Sequence, residues 1–264
     1  MGPTPSGFGL SPVLFVGAGP GDPELLTLAG LRALEGAPHV LAPSTFHRSF
    51  GALLEGKDVE SPFRMDHRGV VSWVEERLPR GPVAFLVPGD FTLFCPFQSF
   101  VARFSDRARV IPGIGAHQAA AALLRKTFDL PGVAHATVIT SPRAVTPRGG
   151  RVALREYARP GNTLVVYMND LPLPDLAAEL RAGYGADVPI AILENLACPD
   201  QRVTLATLDT IVAEMGGRDP FGIGSESPEP SLALVIAGEV LVRDEDPVWW
   251  DRRYERVWKP RGMG

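Results

Sequence analysis

The amino-acid sequence predicts an α/β protein made of two α/β domains, and three observations lead to this prediction. Short apolar or β-branched runs alternate with helical stretches in the first half of the chain. A stretch rich in Pro, Gly and Arg interrupts this order between residues 141 and 160. A second series of strands and helices follows. We therefore predict a domain over 1–142, a linker over 143–160, a domain over 161–242 and a C-terminal tail over 243–264.

The first series favours a mainly parallel sheet, because its strands and helices alternate. Its predicted strands are Val13–Val16, His39–Ala42, Val83–Val87, Val110–Ile111 and Thr137–Thr140. Its predicted helices are Pro23–Glu35, Val70–Leu78 and His117–Lys126. The second series is predicted as strand Thr163–Tyr167, helix Asp175–Gly183, strand Pro189–Glu194, helix Leu208–Met215 and strand Ser231–Val240.

The loop after the first strand has only part of a dinucleotide-binding turn. Gly17 and Gly19 fit the pattern G-x-G-x-x-G, but Asp22 occupies the position of the third glycine. Asp22 followed by Pro23 is typical of a helix N-cap, which satisfies free amides and places negative charge at the helix N-terminus. The chain also lacks G-x-x-x-x-G-K-[ST]. We therefore do not expect this loop to bind a phosphate.

Composition and charge limit the classes of function. A formal net charge of −4 and a pI near 5.8 argue against a nucleic-acid surface. Cys95 and Cys198 lie far apart, without the spacing of a disulfide framework or a zinc site, so we expect no metal and reduced thiols in a cytoplasm. The sequence has neither a basic leader nor an apolar run of the roughly 18 residues that a membrane span needs.

Five motifs in order resemble one family. The segment Val13–Leu28, VLFVGAGPGDPELLTL, is similar to the opening of the tetrapyrrole methylases, S-adenosyl-L-methionine-dependent enzymes of the cobalamin and sirohaem pathways. The other matching segments are Val87–Phe94 (VPGDFTLF), Val110–Ala122 (VIPGIGAHQAAAA), Tyr184–Leu208 with its P-D-Q-R-V run, and Ser231–Val240. Phe91 stands where the family usually has proline. The resemblance implies two α/β domains with a cofactor cleft between them, a fold that differs from the common Rossmann methyltransferase.

The resemblance also implies which residues bind the cofactor and the substrate. The implied contacts to S-adenosyl-L-methionine are Gly89, Asp90, Thr92, Leu93, Phe94, Met168, Pro189, Ala191 and Ala197. Asp90 is also compatible with an Asx-type turn, and Met168 with a gap-filling core residue. Pro20 and Asp22 would border the tetrapyrrole, and His117 would either touch it or pack at a helix start. The substrate's carboxylates would bind basic side chains, first Arg143, within a local excess that also holds Arg148, Arg151, Arg155 and Arg159.

Three hypotheses of function follow from the resemblance. The first is a methyltransferase acting on a tetrapyrrole acid, closest to precorrin-4 methyltransferases and then to uroporphyrinogen-III methyltransferases. Positioning supplies much of the rate when the methyl group is already activated, so no catalytic residue is assigned. The second is a same-fold enzyme with a macromolecular substrate, and the third is a non-catalytic protein that binds tetrapyrrole or cofactor, with Phe91 marking lost activity.

Two expectations concern assembly. Members of this family are commonly homodimers, which implies a homodimer here. The tail Trp249–Trp258 combines tryptophans with arginines, and we expect its aromatic rings to dock on the chain's own body or on a partner subunit. A nucleic-acid stacking platform is the alternative.

Overall fold

The structure is a computed structural model, and it describes residues 11–147, 149–223 and 232–261 of the 264-residue chain. The chain divides between Ala119 and Ala120 into two compact units. Each unit is built on a five-stranded sheet. Within the described ranges, no helix has the length and apolar character needed to cross a membrane.

The sheet of the first unit is parallel throughout, as the alternation of strands and helices predicts. Its strands are β1 Val13–Gly17, β2 His39–Leu41, β3 Asp58–Glu60, β4 Val83–Val87 and β5 Ala108–Ile111, in the order β3-β2-β4-β1-β5. Every residue of β1 and β4 is buried, which is typical of parallel strands covered on both faces. Strand β3 is not among the predicted strands, because its three residues, Asp-Val-Glu, show no apolar run.

Helices pack on both faces of this sheet and create two separate apolar clusters. The helices are α1 Leu28–Glu35, α2 Phe46–Ser49, α3 Gly51–Leu54, α4 His67–Arg77, α5 Gln98–Arg103 and α6 Ala116–Leu124, the last of which crosses the boundary between the units. The predicted helix Pro23–Glu35 is in fact a 3-10 turn, Pro23–Leu25, followed by α1. The reason is a second N-cap, because Thr27 Oγ1 accepts a hydrogen bond from the Gly30 amide at 3.0 Å.

The sheet of the second unit is mixed. Its strands are β6 Ala136–Thr140, β7 Asn162–Val166, β8 Pro189–Glu194, β9 Arg202–Thr207 and β10 Ala233–Ala237, in the order β6-β7-β10-β8-β9. Strand β6 pairs with β7 in parallel, and the other pairings are antiparallel. The expectation that β6 closes the first domain is therefore wrong. A β-branched run predicts a strand but does not specify its sheet, and β6 hydrogen-bonds along its whole length to β7.

The predicted linker is part of the second unit. Val145 and Arg151 form an antiparallel bridge, and a 3-10 turn covers Leu154–Glu156. Leu154 and Ala158 are fully buried in the core, beside α7 Leu173–Tyr184 and α8 Ile211–Glu214. Apolar residues within the Arg-rich segment thus anchor it, although its Pro and Gly content predicted a linker. Arg148 and Ser231 lie outside the described residues.

The C-terminal tail is helical and packs on itself. Helix α9 Pro247–Arg253 continues into a π-helical turn over Tyr254–Trp258, and neither segment buries a residue. The Trp258 ring meets those of Trp249 and Trp250 edge-on, at centroid distances of 6.4 and 4.7 Å. At the base of the tail, the Lys126 amine donates hydrogen bonds to the Arg243 carbonyl and the Asp244 carboxylate, both at 2.7 Å.

Candidate functional site

In the first unit, three loops converge at one edge of the sheet. Strands β4, β1 and β5 are adjacent and parallel, so the loops that follow them leave the same edge, where ligands bind in open α/β sheets. Gly19 and Gly89 exchange two backbone hydrogen bonds, of 3.1 and 2.8 Å. The structure thus brings the predicted substrate loop of Pro20 and Asp22 beside the predicted cofactor loop that begins at Gly89.

Glycines allow the three loops to touch through their backbones. A Cβ on Gly113 would lie 2.5 Å from the Gly89 carbonyl oxygen and 2.6 Å from the Gly17 carbonyl carbon. A Cβ on Gly17 would lie 2.5 Å from the Gly113 nitrogen. Real Cβ atoms do not approach other atoms this closely, so glycine is required at both positions. This contact explains the glycines at 17 and 113, whereas Gly89 has a φ of 68°, in the left-handed region that favours glycine.

The Asp90 carboxylate ties two of these loops together. Its Oδ2 accepts a hydrogen bond from the Gly113 amide at 2.8 Å, and its Oδ1 accepts from the Thr92 amide at 2.9 Å and from the Thr92 hydroxyl. Partial burial favours the neutral form, but the hydrogen bonds from Thr92 and Gly113 outweigh it and lower the pKa of Asp90. Asp90 is therefore a carboxylate at neutral pH.

Two side chains near Asp90 are uncharged at neutral pH. Partial burial lowers the pKa of His117, in the first turn of α6, and the negative charge of Asp90 offsets this only in part. Burial raises the pKa of the Cys95 thiol, and Asp90 adds to that effect. Phe91, the departure from the family pattern, packs edge-on against Phe15 with ring centroids 6.0 Å apart. Its ring extends the core beneath the loop.

In the second unit, three predicted site residues share an edge of the sheet. Strands β7 and β8 are both antiparallel to β10, and β6 is parallel to β7, so the carboxyl ends of β6, β7 and β8 lie at one edge. The residues just beyond these ends include Arg143, Met168 and Ala197.

Two predicted cofactor residues lie elsewhere in that sheet. Pro189 is the first residue of β8 and is buried at the opposite edge, while Ala191 is fully buried within the strand. The sequence match on P-x-A thus falls on the body of the strand, and the half-buried loop begins only after Glu194. The structure therefore does not place Pro189 or Ala191 with Ala197.

Strained backbone marks the same loops. Phe94, Met168, Asn195 and Ala197 have φ values of 54°, 48°, 49° and 62°, in the left-handed region that non-glycine residues rarely adopt. In the described chain, the other such residue is Arg125. Strain of this kind concentrates at functional sites. Met168 is 41% exposed, so it is not a core residue.

Side chains of the P-D-Q run hold the loop after β8. The Gln201 Oε1 atom accepts a hydrogen bond from the Ala197 amide at 2.8 Å. The Asp200 carboxylate accepts one from Asn195 Nδ2 at 2.7 Å. Sequence analysis assigned no role to Asn195, Asp200 or Gln201, although the P-D-Q-R-V match pointed to the segment. Local sequence does not show that these side chains fold back onto the turn.

The predicted excess of arginines is largely paired. Arg143 Nε lies 3.8 Å from the Asp170 carboxylate, which also accepts a hydrogen bond from Arg151. Arg155 lies 3.6 Å from Glu179. Both carboxylates lie outside the segment 141–160, so a charge count within that segment missed them. Arg143 remains more than half exposed and available to an anionic ligand.

The loops of both units include exposed apolar side chains. No group of three or more His, Cys, Asp or Glu side chains in the described ranges is arranged to hold a metal ion. The loops instead offer backbone groups and apolar surface, including Phe94 and Met168, which are 39% and 41% exposed. Most small-molecule sites combine apolar walls with a few polar groups in this way.

Comparisons with known proteins agree on one family. The profile of the Tetrapyrrole (Corrin/Porphyrin) Methylases matches residues 12–212. The chain is 30% identical to the precorrin-4 C(11)-methyltransferase of Pseudomonas aeruginosa, covering 88% of this chain and 91% of that protein. It is also 30% identical to the uroporphyrinogen-III C-methyltransferase of Paracoccus denitrificans, covering 95% and 88%.

Solved structures share the fold. A cobalt precorrin-4 methyltransferase has a TM-score of 0.72 at 20% identity, covering 88% of this chain and 96% of that one. A uroporphyrin-III C-methyltransferase from Thermus thermophilus, complexed with S-adenosylhomocysteine, has a TM-score of 0.66 at 30% identity, covering 88% and 99%. The chain therefore belongs to the tetrapyrrole methylase family of S-adenosyl-L-methionine-dependent methyltransferases.

Proposed function

We propose that this chain is a C-methyltransferase of cobalamin biosynthesis that acts on a tetrapyrrole acid, most like precorrin-4 methyltransferase. The observation that carries the proposal is the 30% identity to the Pseudomonas aeruginosa enzyme of that name over nearly its full length. The precorrin-4 C(11)-methyltransferase of Rhodococcus erythropolis adds support, at 30% identity over 94% of its length.

The chain's own residues bind and orient the two reactants in this proposal. When bound, S-adenosyl-L-methionine supplies a methyl group already activated by a positively charged sulfur. In the first unit, the loop of Gly89, Asp90, Thr92, Leu93 and Phe94 binds the cofactor, largely through backbone and apolar surface. In the second unit, Met168 and Ala197 do the same. Because orientation can supply much of the rate for such a transfer, no side chain is required as a nucleophile.

Other residues border or bind the tetrapyrrole. Pro20 and Asp22 border it, Arg143 binds one of its carboxylates, and the uncharged imidazole of His117 contacts it without adding charge. Cys95 and Cys198 are not joined in a disulfide, which suits a cytoplasmic enzyme. We also propose a homodimer, as the family resemblance implies, which light scattering of the purified protein tests.

A uroporphyrinogen-III methyltransferase is the second candidate. The relative of that name from Paracoccus denitrificans matches over 95% of this chain, compared with 88% for the Pseudomonas aeruginosa precorrin-4 enzyme, at the same 30% identity. Both candidates use one scaffold and differ in the ring carbon that is methylated.

Mass spectrometry of the product decides between these functions. The protein is incubated with S-adenosyl-L-methionine and, separately, precorrin-4 and uroporphyrinogen III, and we expect precorrin-4 to gain the mass of one methyl group in place of hydrogen. Methylation of uroporphyrinogen III alone would favour the second candidate. Cofactor binding without transfer to either tetrapyrrole would contradict both candidates and favour a binding protein.

A further inference from the structure

The Asp90 carboxylate has little acceptor capacity left for a ligand. An ionised carboxylate offers about four acceptor positions. Gly113 and Thr92 supply three hydrogen bonds, and the Phe91 amide adds a further favourable interaction. A proline at position 91 would lack that amide. In the described part of the chain, the groups that lower the pKa of Asp90 are neutral donors of its own fold.

The bond to Gly113 joins loops that the sheet itself does not join. Strand β1 lies between β4 and β5, so these two strands are not hydrogen-bonded to each other. The loop after β4 is attached to the β1 loop by the Gly19–Gly89 bridge. On its other side, the hydrogen bond from Gly113 to the Asp90 carboxylate attaches it to the β5 loop.

We infer that Asp90 is a positioning residue, whose carboxylate holds the loop from Gly89 to Phe94 in its cofactor-binding shape by linking it to Gly113, rather than contacting the cofactor. This inference rests on the proposed cofactor role of that loop. Thr92 completes the arrangement from within the loop by donating its amide and its hydroxyl to the same carboxylate.

A positioning role has a specific energetic signature. If the loop is closed in only a fraction of the protein molecules, the apparent dissociation constant for a ligand equals the intrinsic constant divided by that fraction. Saturating ligand then closes the loop again. Substitution of a side chain that contacts the cofactor would instead weaken binding without changing the loop in the free protein.

The test compares Asp90→Asn with wild type, using S-adenosylhomocysteine as the probe. The two carboxylate oxygens of Asp90 accept separately from Thr92 and from Gly113. Asparagine has one carbonyl oxygen and an NH₂ group that cannot accept a hydrogen bond, so either Gly113 or Thr92 loses its acceptor. Hydrogen–deuterium exchange should rise in the peptides that contain Thr92 and Gly113 in the free variant. Calorimetry should show binding weakened roughly tenfold or more, the effect of losing one hydrogen bond to a charged group. Saturating S-adenosylhomocysteine should restore protection.

Asp66→Asn is the matched control. Asp66 Oδ1 accepts a hydrogen bond from the Gly69 amide at 2.7 Å at the start of α4, so this variant makes the same substitution at a hydrogen-bonded carboxylate elsewhere, where one acceptor oxygen is enough. It should leave exchange at Thr92 and Gly113 unchanged, and affinity for S-adenosylhomocysteine within twofold. Thr92→Val removes the hydroxyl donor and should shift exchange and affinity in the direction of Asp90→Asn.

Two results would overturn the inference. Weaker binding by Asp90→Asn with unchanged exchange in the free protein would show direct contact between the carboxylate and the ligand. Increased exchange with unchanged affinity would show that the loop shape does not matter for the cofactor. Failure of the wild type to bind S-adenosylhomocysteine would contradict the proposed function instead, and the exchange measurement would still decide whether Asp90 holds the loop.

Discussion

The two units hold their candidate site loops by different means. In the first unit, glycine backbones touch directly, and the Asp90 carboxylate bonds across them. In the second unit, Met168, Asn195 and Ala197 adopt left-handed backbone conformations, and the side chains of Asp200 and Gln201 hold the turn after β8.

The difference follows from the two sheets. Three parallel strands of the first sheet release their loops side by side at one edge, so those loops must pack closely and only glycine fits between them. In the second sheet, the antiparallel strand β10 lies between β7 and β8, so the loop after β7 and the loop after β8 do not leave neighbouring strands. Side chains of the loop after β8 hold that loop instead. Tight packing should therefore make the first set more sensitive to added volume than the second, whose turn depends on side-chain hydrogen bonds.

The largest effect should come from Gly113→Ala. The new Cβ would lie 2.5 Å from the Gly89 carbonyl oxygen and 2.6 Å from the Gly17 carbonyl carbon, and backbone atoms cannot move aside as the end of a side chain can. We expect a loss of about 3 kcal/mol in the free energy of unfolding, at the upper end of overpacking effects, measured by urea denaturation. Gly51→Ala is the control, because no atom lies within 4 Å of its Cβ position, and it should be neutral or slightly stabilising. If Gly113→Ala and Gly51→Ala had the same free energy of unfolding, close packing would not be what distinguishes the loops of the first unit.

A smaller effect is expected from Gln201→Ala in the second unit. The Ala197 amide would lose its acceptor. The free energy of unfolding should fall by about 1 kcal/mol, a modest loss because the loop is only half-buried. Urea denaturation measures the loss of stability, and calorimetry with S-adenosylhomocysteine should show weaker binding. Gln201→Glu retains an acceptor oxygen and should stay close to wild type. If Gln201→Ala and Gln201→Glu behave alike, the hydrogen bond does not hold the turn.

The smallest effect is a pH dependence that should appear in one unit only. The pKa of Asp90 is lowered in the folded state, so its contribution to stability is complete above the unfolded pKa near 3.8 and is lost as pH falls through the lower folded pKa. The difference in urea midpoint between wild type and Asp90→Asn should therefore shrink in strong acid. The difference between wild type and Gln201→Ala should not, because an amide does not titrate. Parallel pH profiles for the two variants would contradict this contrast.

Much of the fold was accessible from local patterns. The bounds of β4 and β8 agree with the prediction, because their apolar runs end at a glycine-containing loop or a charged residue. The family motifs also located the loops at Gly17, Gly89 and Gly113 and the run around Gln201. Local patterns did not show that Asp22 caps a 3-10 turn and Thr27 the α-helix that follows, since both residue types favour the N-cap position.

Errors arose where a residue's role depends on distant partners. Strand β6 was assigned to the wrong sheet because its pairing with β7 is not encoded in its own residues. The arginines of 141–160 looked unpaired until Asp170 and Glu179 approached them from other segments. Pro189 and Ala197 were both predicted to bind the cofactor, and the structure places Pro189 at the start of β8 and Ala197 beyond its end.

The sequence alone determined the family, the presence of two α/β series and the positions of the loops, because these depend on neighbouring residues and on motif order. Only the tertiary structure decided what the loop residues do. It showed Asp90 engaged by Gly113, 23 residues away, and three glycines in backbone contact. Hydrogen bonds and steric contacts act between atoms that folding brings together, so residues distant in the chain acquire their roles only in the folded protein.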